Sequence, residues 1–307
     1  MNAGRPCTRP TPSCSRLWLL TLLILPMSLL TACAPDRELD ERGDPVTLRI
    51  ADTGLEGMEE LQRHFGPFRD AMEDMLGRPV EFEPVSDRTI ATHSMEAGDV
   101  DIVLAGPTEY LFIRSRNQDV RPVAGIERGE YYSVFVTRRD AGIESLQDLA
   151  GRDVALKARG STSGYVTPMG MLMDAGFDDP YDAMNILDID ADEPRYQSLI
   201  AGDIDAFAGG IRDWRWFEER GHDGDHVVLA QSDPLPADVF IVRGGLSDEL
   251  VEEIRAAMLA HGDQIIDALV AGGGQMTKFR GARVIEADDS YFDGFRQVHQ
   301  RLGLPFD

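Results

Sequence analysis

The hydrophobic pattern of the chain changes period repeatedly, and each change marks an element. Val46-Thr47-Leu48-Arg49-Ile50-Ala51 is a β-rich run and predicts a strand. From Gly57 to Leu76 the apolar residues Met58, Leu61, Phe65, Phe68, Met72 and Met75 fall at helical spacing, and Gly77-Arg78-Pro79 ends that helix. Val80 to Val85 is a second strand and Thr89 to Ala97 a short helix closed by Gly98. Val100 to Ala105 is a third strand, ending in Gly106-Pro107. An order of strand, helix, strand, helix, strand predicts right-handed crossovers and a mainly parallel sheet.

A second α/β unit follows. Tyr131 to Thr137 is β-rich, Leu146 to Leu149 is a short helix, and Val154 to Leu156 is a strand leading to a helix over Ser163 to Ala175. A helix over Arg195 to Ala201 precedes a strand at Ile204 to Ala208. Val239 to Val242 returns as a strand, and the remainder is helical, with Ser247 capping Asp248 to His261 and Asp288 starting a terminal helix. The pattern predicts two α/β lobes, residues 46–137 with 239–307 and residues 138–238, with the chain crossing near 137 and back near 239. Ligands of such architectures sit between lobes, at the carboxyl ends of strands.

The first 32 residues read as a targeting signal. Arg5, Arg9 and Arg16 make a positive start, and Leu17 to Leu30 is apolar but short for a membrane span. The run ends in Leu30-Thr31-Ala32-Cys33, which resembles the lipobox of bacterial lipoproteins. That resemblance implies cleavage before Cys33 and diacylation of its thiol, and two acyl chains anchor stably where one does not. Cys7 and Cys14 would leave with the signal, so the mature body has no second thiol for a disulfide or a metal. Residues 33–45 are polar and read as a tether.

With the signal removed, 27 of the 30 basic residues face all 54 acidic ones, and only Lys157 and Lys278 are lysines. Such a surface repels nucleic acid, whose phosphates need basic partners.

The most specific chemistry lies at Ser161-Thr162-Ser163-Gly164, which follows a strand and opens a helix. A helix start offers unpaired N–H groups and a positive dipole end, and three hydroxyls add neutral donors, so the segment suits an anion. An ordinary Ser/Thr helix cap is the alternative.

Together with Ser145-Leu146-Gln147-Asp148-Leu149-Ala150-Gly151-Arg152-Asp153-Val154-Ala155 and Gly202-Asp203-Ile204-Asp205-Ala206, this stretch resembles the phosphate/phosphite/phosphonate-type substrate-binding proteins of bacterial ABC importers. The resemblance runs over most of the chain beyond residue 46. It implies a two-lobed type II periplasmic-binding fold, each lobe a mainly parallel sheet flanked by helices. Such a protein captures a phosphorus oxyanion and passes it to a permease and ATPase complex. It implies a ligand-contacting tyrosine at Tyr110 and an acid near Asp205 that meets a ligand hydroxyl or amine, with Asp213 as the competing acid. Tyr131 and Tyr132 sit at the crossover, where only one of a strand's neighbours faces the cleft; Tyr132 is the candidate, and Glu56 a weaker one. Asp190-Ala191-Asp192-Glu193-Pro194-Arg195 stands where the family pattern leads one to expect a histidine. Its acids would favour a ligand carrying a cationic group, whereas Arg195 would pair an oxyanion.

Catalytic readings lack parts. There is no Gly-x-Ser-x-Gly motif, no Walker-type loop and no mature reactive cysteine. His222 and His226 flank acids in a loop and read as solvated rather than zinc-binding; no metal or cofactor is expected. Trp214 and Trp216 read as packing at a cleft edge. The expected protein is a monomeric binding lipoprotein at a bacterial membrane, in the periplasm or at the cell surface. A ligand-sensing lipoprotein of the same fold, reporting to a signalling partner, is the alternative.

Overall fold

The computed structural model describes residues 37–53, 58–85 and 88–303. Cys7, Cys14, Cys33, Glu56 and the apolar run from Leu17 to Leu30 lie outside the described residues. Among the described residues, no helix is long and apolar enough to cross a membrane.

The first half begins as its pattern predicts, with β1 (Leu48–Asp52), α1 (Met58–Leu76), β2 (Val80–Phe82), α2 (Arg88–Ala97) and β3 (Ile102–Ala105); α3 (Pro107–Arg116) and β4 (Arg121–Glu127), which the pattern does not mark, follow. The next strands, β5 (Ser133–Arg138) and β6 (Asp153–Leu156), lead through one π-helical turn, Thr162–Val166, into α4 (Thr167–Asp174). Then come α5 (Pro180–Ala183), β7 (Asn185–Asp188), α6 (Asp192–Ala201), β8 (Ala206–Gly210), α7 (Ile211–Glu219) and β9 (His226–Gln231). The chain ends with β10 (Asp238–Val242), α8 (Asp248–Ala260), α9 (Gly262–Ala271), β11 (Arg283–Ile285) and α10 (Asp293–Arg301).

Two sheets result, ordered β11-β4-β10-β3-β1-β2 and β7-β6-β8-β5-β9. Each is mixed rather than mainly parallel. The trio β2-β1-β3 and the trio β7-β6-β8 are parallel, but β10, β4 and β11 join the first sheet antiparallel, and β5 and β9 join the second the same way. The apolar faces explain the packing. On one side of the first sheet, Phe68 of α1 stacks on Phe240 of β10 with ring centroids 5.4 Å apart, inside a cluster with Leu61, Phe65, Ile254 and Leu269. Truncating such a fully buried phenylalanine costs about 3–5 kcal/mol. Another cluster runs from Val103 and Tyr110 of the first lobe to Phe135, Val154 and Leu172 of the second.

Three boundaries differ from the expected ones. The strand expected to close the first lobe, 131–137, corresponds to β5, which pairs with β8 and β9, so the chain changes sheets before it, at 128–132. It returns at 232–237, where Leu235 N–H donates to the Tyr131 carbonyl at 2.7 Å and ties the two crossings together.

The expected tether is also shorter than its composition suggests, because residues from Arg37 onward dock on the body. Arg37 and Arg243 both pair with Asp101, whose carboxylate is fully buried and accepts a further bond from Arg49 N–H at 2.9 Å. Asp44 accepts from Ser247 N–H at 2.8 Å, at the start of α8. Charged residues looked like linker because their partners lie about 60 to 200 positions away, beyond any local pattern.

Finally, α10 does not belong to the first lobe alone. Arg301 pairs with Asp174 of α4 at 2.6 Å, Phe292 packs on Tyr110 of α3, and Phe295 shares their cluster. The terminal segment therefore straps both lobes.

Candidate ligand-binding site

The carboxyl ends of β3 and β8 feed directly into helix starts, Gly106 before α3 and Gly210 before α7, and β6 leads through residues 157–160 to Ser161 before the π turn. Neither Gly106 nor Gly210 supplies a side-chain cap. A side chain at Gly106 would place its Cβ 2.5 Å from the Glu109 carboxylate, which would have to shift, whereas the φ of −71° suits any residue. Two of these starts touch across the lobes. Thr108 N–H donates to Thr162 Oγ1 at 3.2 Å, and the Thr162 hydroxyl donates to Thr108 Oγ1 at 2.9 Å. The ends of strands from both sheets thus face one another, with oriented N–H groups and hydroxyls between them.

Ser161, Thr162 and Ser163 divide their labour. Ser161 is a cap, its Oγ accepting from Gly164 N–H at 3.2 Å. Thr162 is buried in the contact with Thr108. Ser163 is half-buried and turns toward Gly210, its Oγ 3.2 Å from where a Cβ there would stand. Tyr131, not Tyr132, reaches this junction. Its phenol hydrogen-bonds Thr162 and is pushed up to about 12 by burial, with the Asp238 and Glu109 carboxylates adding to the rise and Arg128 opposing it. The Arg128 guanidinium lies 3.5 Å over the Tyr131 ring. Tyr132 instead packs with the core of the second sheet, and its carbonyl accepts from Ile211 N–H, the first amide of α7, at 3.0 Å.

Two expected ligand groups are elsewhere. Tyr110 is fully buried and its hydroxyl bonds Asp289 at 2.5 Å, in the strap beside Phe292. Burial first, and Asp289 second, raise that phenol far above its usual range. The helix α3 carries Tyr110 on the face turned to α10, one turn past the helix start that faces the cleft. Asp205 lies at the opposite end of its strand from the helix starts. Its Oδ2 accepts from Asp153 N–H at 3.0 Å, where β6 begins, and Arg152 stands 3.5 Å away. In parallel strands all amino ends share one side, so an acid preceding β8 cannot face its carboxyl end.

The acid at the carboxyl end of β8 is Asp213, in the first turn of α7. It is 4% exposed and shares its carboxylate with Arg195 at 3.0 Å, the Tyr196 hydroxyl and, at 3.7 Å, Lys157. Asp192 completes the group, 2.6 Å from the Lys157 ammonium and 2.7 Å from Arg195. Arg195 is committed to these acids and to the Ile189 and Asp190 carbonyls, so it is not the oxyanion partner its isolated position suggests. Glu193 turns outward to Gln197. Lys157 had no motif around it; its rarity was the available signal, one of two lysines among 30 basic residues.

The remaining candidates are structural. Trp214 and Trp216 pack on the second-sheet core, Trp216 stacking on His222 at 5.7 Å. His226 is 3% exposed, not solvated, and its Nδ1 lies 2.8 Å from the His222 carbonyl. No group of three or more potential ligands that could hold a metal occurs among the described residues.

Two lobes joined by paired crossings, with helix starts from each meeting between them, define a two-lobed binding protein of the type II periplasmic class. Residues 56–292 match the family of periplasmic substrate-binding proteins of phosphonate ABC transporters, and the chain belongs to that family. It is 25% identical over 276 residues to the phosphate-import protein PhnD of Mycolicibacterium smegmatis, covering 83% of this chain and 86% of that one. Its fold is similar to that of PhnD1 from Prochlorococcus marinus in complex with methylphosphonate, with TM-score 0.67 and 17% identity, covering 84% of this chain and 98% of that one. A binding-protein component of an ABC phosphonate transporter from Pseudomonas aeruginosa matches with TM-score 0.64 and 19% identity, over 85% and 89% of the two chains. The protein is thus the substrate-binding component of an ABC importer; the signalling alternative draws no support from these relationships.

Proposed function

We propose that the protein captures a small phosphorus oxyanion, such as a phosphonate, phosphite or phosphate, between the Ser161–Gly164 turn and the starts of α3 and α7. The observation that carries this reading is the meeting of Thr108 and Thr162, which sets two helix starts from different lobes against each other. Helix starts suit an anion in a protein of formal net charge −24, because their partial charges are local and oriented while the surface charge is diffuse. The relatives that import phosphate or hold methylphosphonate fit the same ligand class. The captured ion is released to a permease and ATPase complex without being chemically altered. The protein works as a monomer, held at the membrane by lipid on Cys33.

The test is titration calorimetry of the purified body with methylphosphonate, phosphite, phosphate and sulfate. One or more of the phosphorus oxyanions should bind, and Ser163→Ala should weaken that binding. Failure of all three to bind would remove the reading.

A further inference from the structure

Beside the anion-binding turn lies a quartet of charged side chains. Lys157 leaves the carboxyl end of β6, its N–H donating to the Gly164 carbonyl at 2.9 Å. Its stem runs against the turn so closely that a Cβ on Gly164 would fall 2.6 Å from Lys157 Cγ and Cδ. The ammonium ends 2.6 Å from Asp192 and 3.7 Å from Asp213. Arg195 holds the same two acids from the protein side, at 2.7 and 3.0 Å, and is itself fully buried. Two cations therefore balance two carboxylates. The Lys157 end is the open one, with side chains 20% exposed for Lys157 and 55% for Asp192.

This balance changes what the acids do. Asp192 and Asp213 without Lys157 would carry one uncompensated negative charge beside the oxyanion turn and would attract a ligand's ammonium group. With Lys157 present that charge is already answered. Burial opposes ionisation of Asp192, but the Lys157 ammonium and Arg195 outweigh it and hold the carboxyl below its ordinary value. A lysine is well suited to the place. Its compact ammonium matches the volume and charge of an alkylammonium, which the planar fork of arginine does not.

We infer that Lys157 is a specificity-determining residue whose ammonium occupies, from within the protein, the position beside Asp192 and Asp213 that a ligand's ammonium would take. The site accepts phosphorus oxyanions without a cationic substituent and rejects aminoalkylphosphonates, in which the incoming ammonium meets Lys157. This assignment rests on the oxyanion reading given above.

Two probes of similar size separate the possibilities, ethylphosphonate and aminoethylphosphonate, each titrated into the purified body by calorimetry. The wild type should prefer ethylphosphonate by roughly tenfold or more, the scale of one like-charge contact partly screened by water. Lys157→Met should narrow or invert that ratio by at least about tenfold. Asp192→Asn leaves two cations facing one carboxylate, so it should move the ratio the other way. If Lys157→Met lowers both affinities by the same factor, Lys157 is only a structural counter-ion and the assignment is overturned. If Lys157→Met does not fold, Asp192→Asn decides alone, and an unchanged ratio there overturns it equally. A wild type that prefers aminoethylphosphonate also overturns it. If the wild type binds neither probe nor phosphate and phosphite, the oxyanion reading itself fails.

Discussion

Arg128 grips Asp238 with two parallel hydrogen bonds, Nε to Oδ2 at 2.5 Å and Nη2 to Oδ1 at 2.8 Å. Arg128 follows β4, where the chain leaves the first sheet, and Asp238 begins β10, where it comes back. The pair therefore locks one crossing to the other beside Tyr131, and Asp238 is almost wholly buried. Breaking such a pair leaves a buried charge without its partner. Asp238→Ala should lose about 3–5 kcal/mol in urea denaturation, and Arg128→Met with Asp238→Leu should recover most of the loss. If the double variant is no better than the single one, packing rather than the orphaned guanidinium sets the cost.

Ser161 and Ser163 stand two residues apart and should separate cleanly in experiment. Ser161→Ala removes the cap on Gly164 N–H and should lower ligand-free stability by about 0.5–2 kcal/mol. Ser163→Ala should leave ligand-free melting nearly unchanged and weaken oxyanion binding by about 1–3 kcal/mol, the range for a hydrogen bond to a charged group. Melting curves with and without methylphosphonate read both. Equal behaviour of the two variants would contradict the division.

Gly209 has no room for a methyl group, since its Cβ would fall 2.0 Å from Asp213 Oδ2. Gly209→Ala must push Asp213 away from Arg195 and Tyr196 and expose buried charge to mismatch. The expected cost is at least about 2–3 kcal/mol in denaturant melts. Gly224→Ala is the control, because nothing lies within 4 Å of its Cβ position; it should stay within about 0.5 kcal/mol.

Elements whose partners are near in sequence were legible, and those set by distant partners were not. The period of Leu61, Phe65, Phe68 and Met72 gives α1 its core face, and the hydroxyl run after β6 marks the capped turn that opens α4, because both signals lie within a few residues. The antiparallel strands β4, β9 and β11 were missed, since a short apolar run does not announce which edge it joins. The tyrosines show the same limit. Tyr131 and Tyr132 are equivalent as letters, and only the path of the crossing sends the first to Thr162 and the second to the core. Asp205 shows it too, since only the parallel pairing of β6 and β8 sets it at their amino ends, away from the helix starts.

The lipid anchor is tested at Cys33. Cys33→Ser should prevent acylation, so the body appears as an uncleaved or soluble species in fractionated cells. Because Arg37 is already bound to Asp101, the change should not alter the melting temperature or ligand affinity of the body. Persistence of the same membrane-bound, lipid-labelled species after the substitution would rule the anchor out.

His299 supplies a pH dependence of known sign. It is fully buried in α10, its ring 4.7 Å from that of Phe295, and burial lowers its pKa from 6.5 to about 4. In the unfolded chain the imidazole takes up a proton below pH 6.5, whereas in the folded protein it stays neutral until about pH 4. Its contribution is complete above the unfolded pKa and is lost progressively as pH falls from 6.5 toward 4. At pH 5 the loss amounts to about 2 kcal/mol. Carboxylates also titrate as the pH drops, but they do so in the wild type and in His299→Leu alike. Urea midpoints measured from pH 7.5 to 4.5 should therefore fall more steeply in the wild type than in His299→Leu. Parallel curves would mean that folding does not change the imidazole's proton uptake, so that α10 does not exclude its charge where it crosses from one lobe to the other.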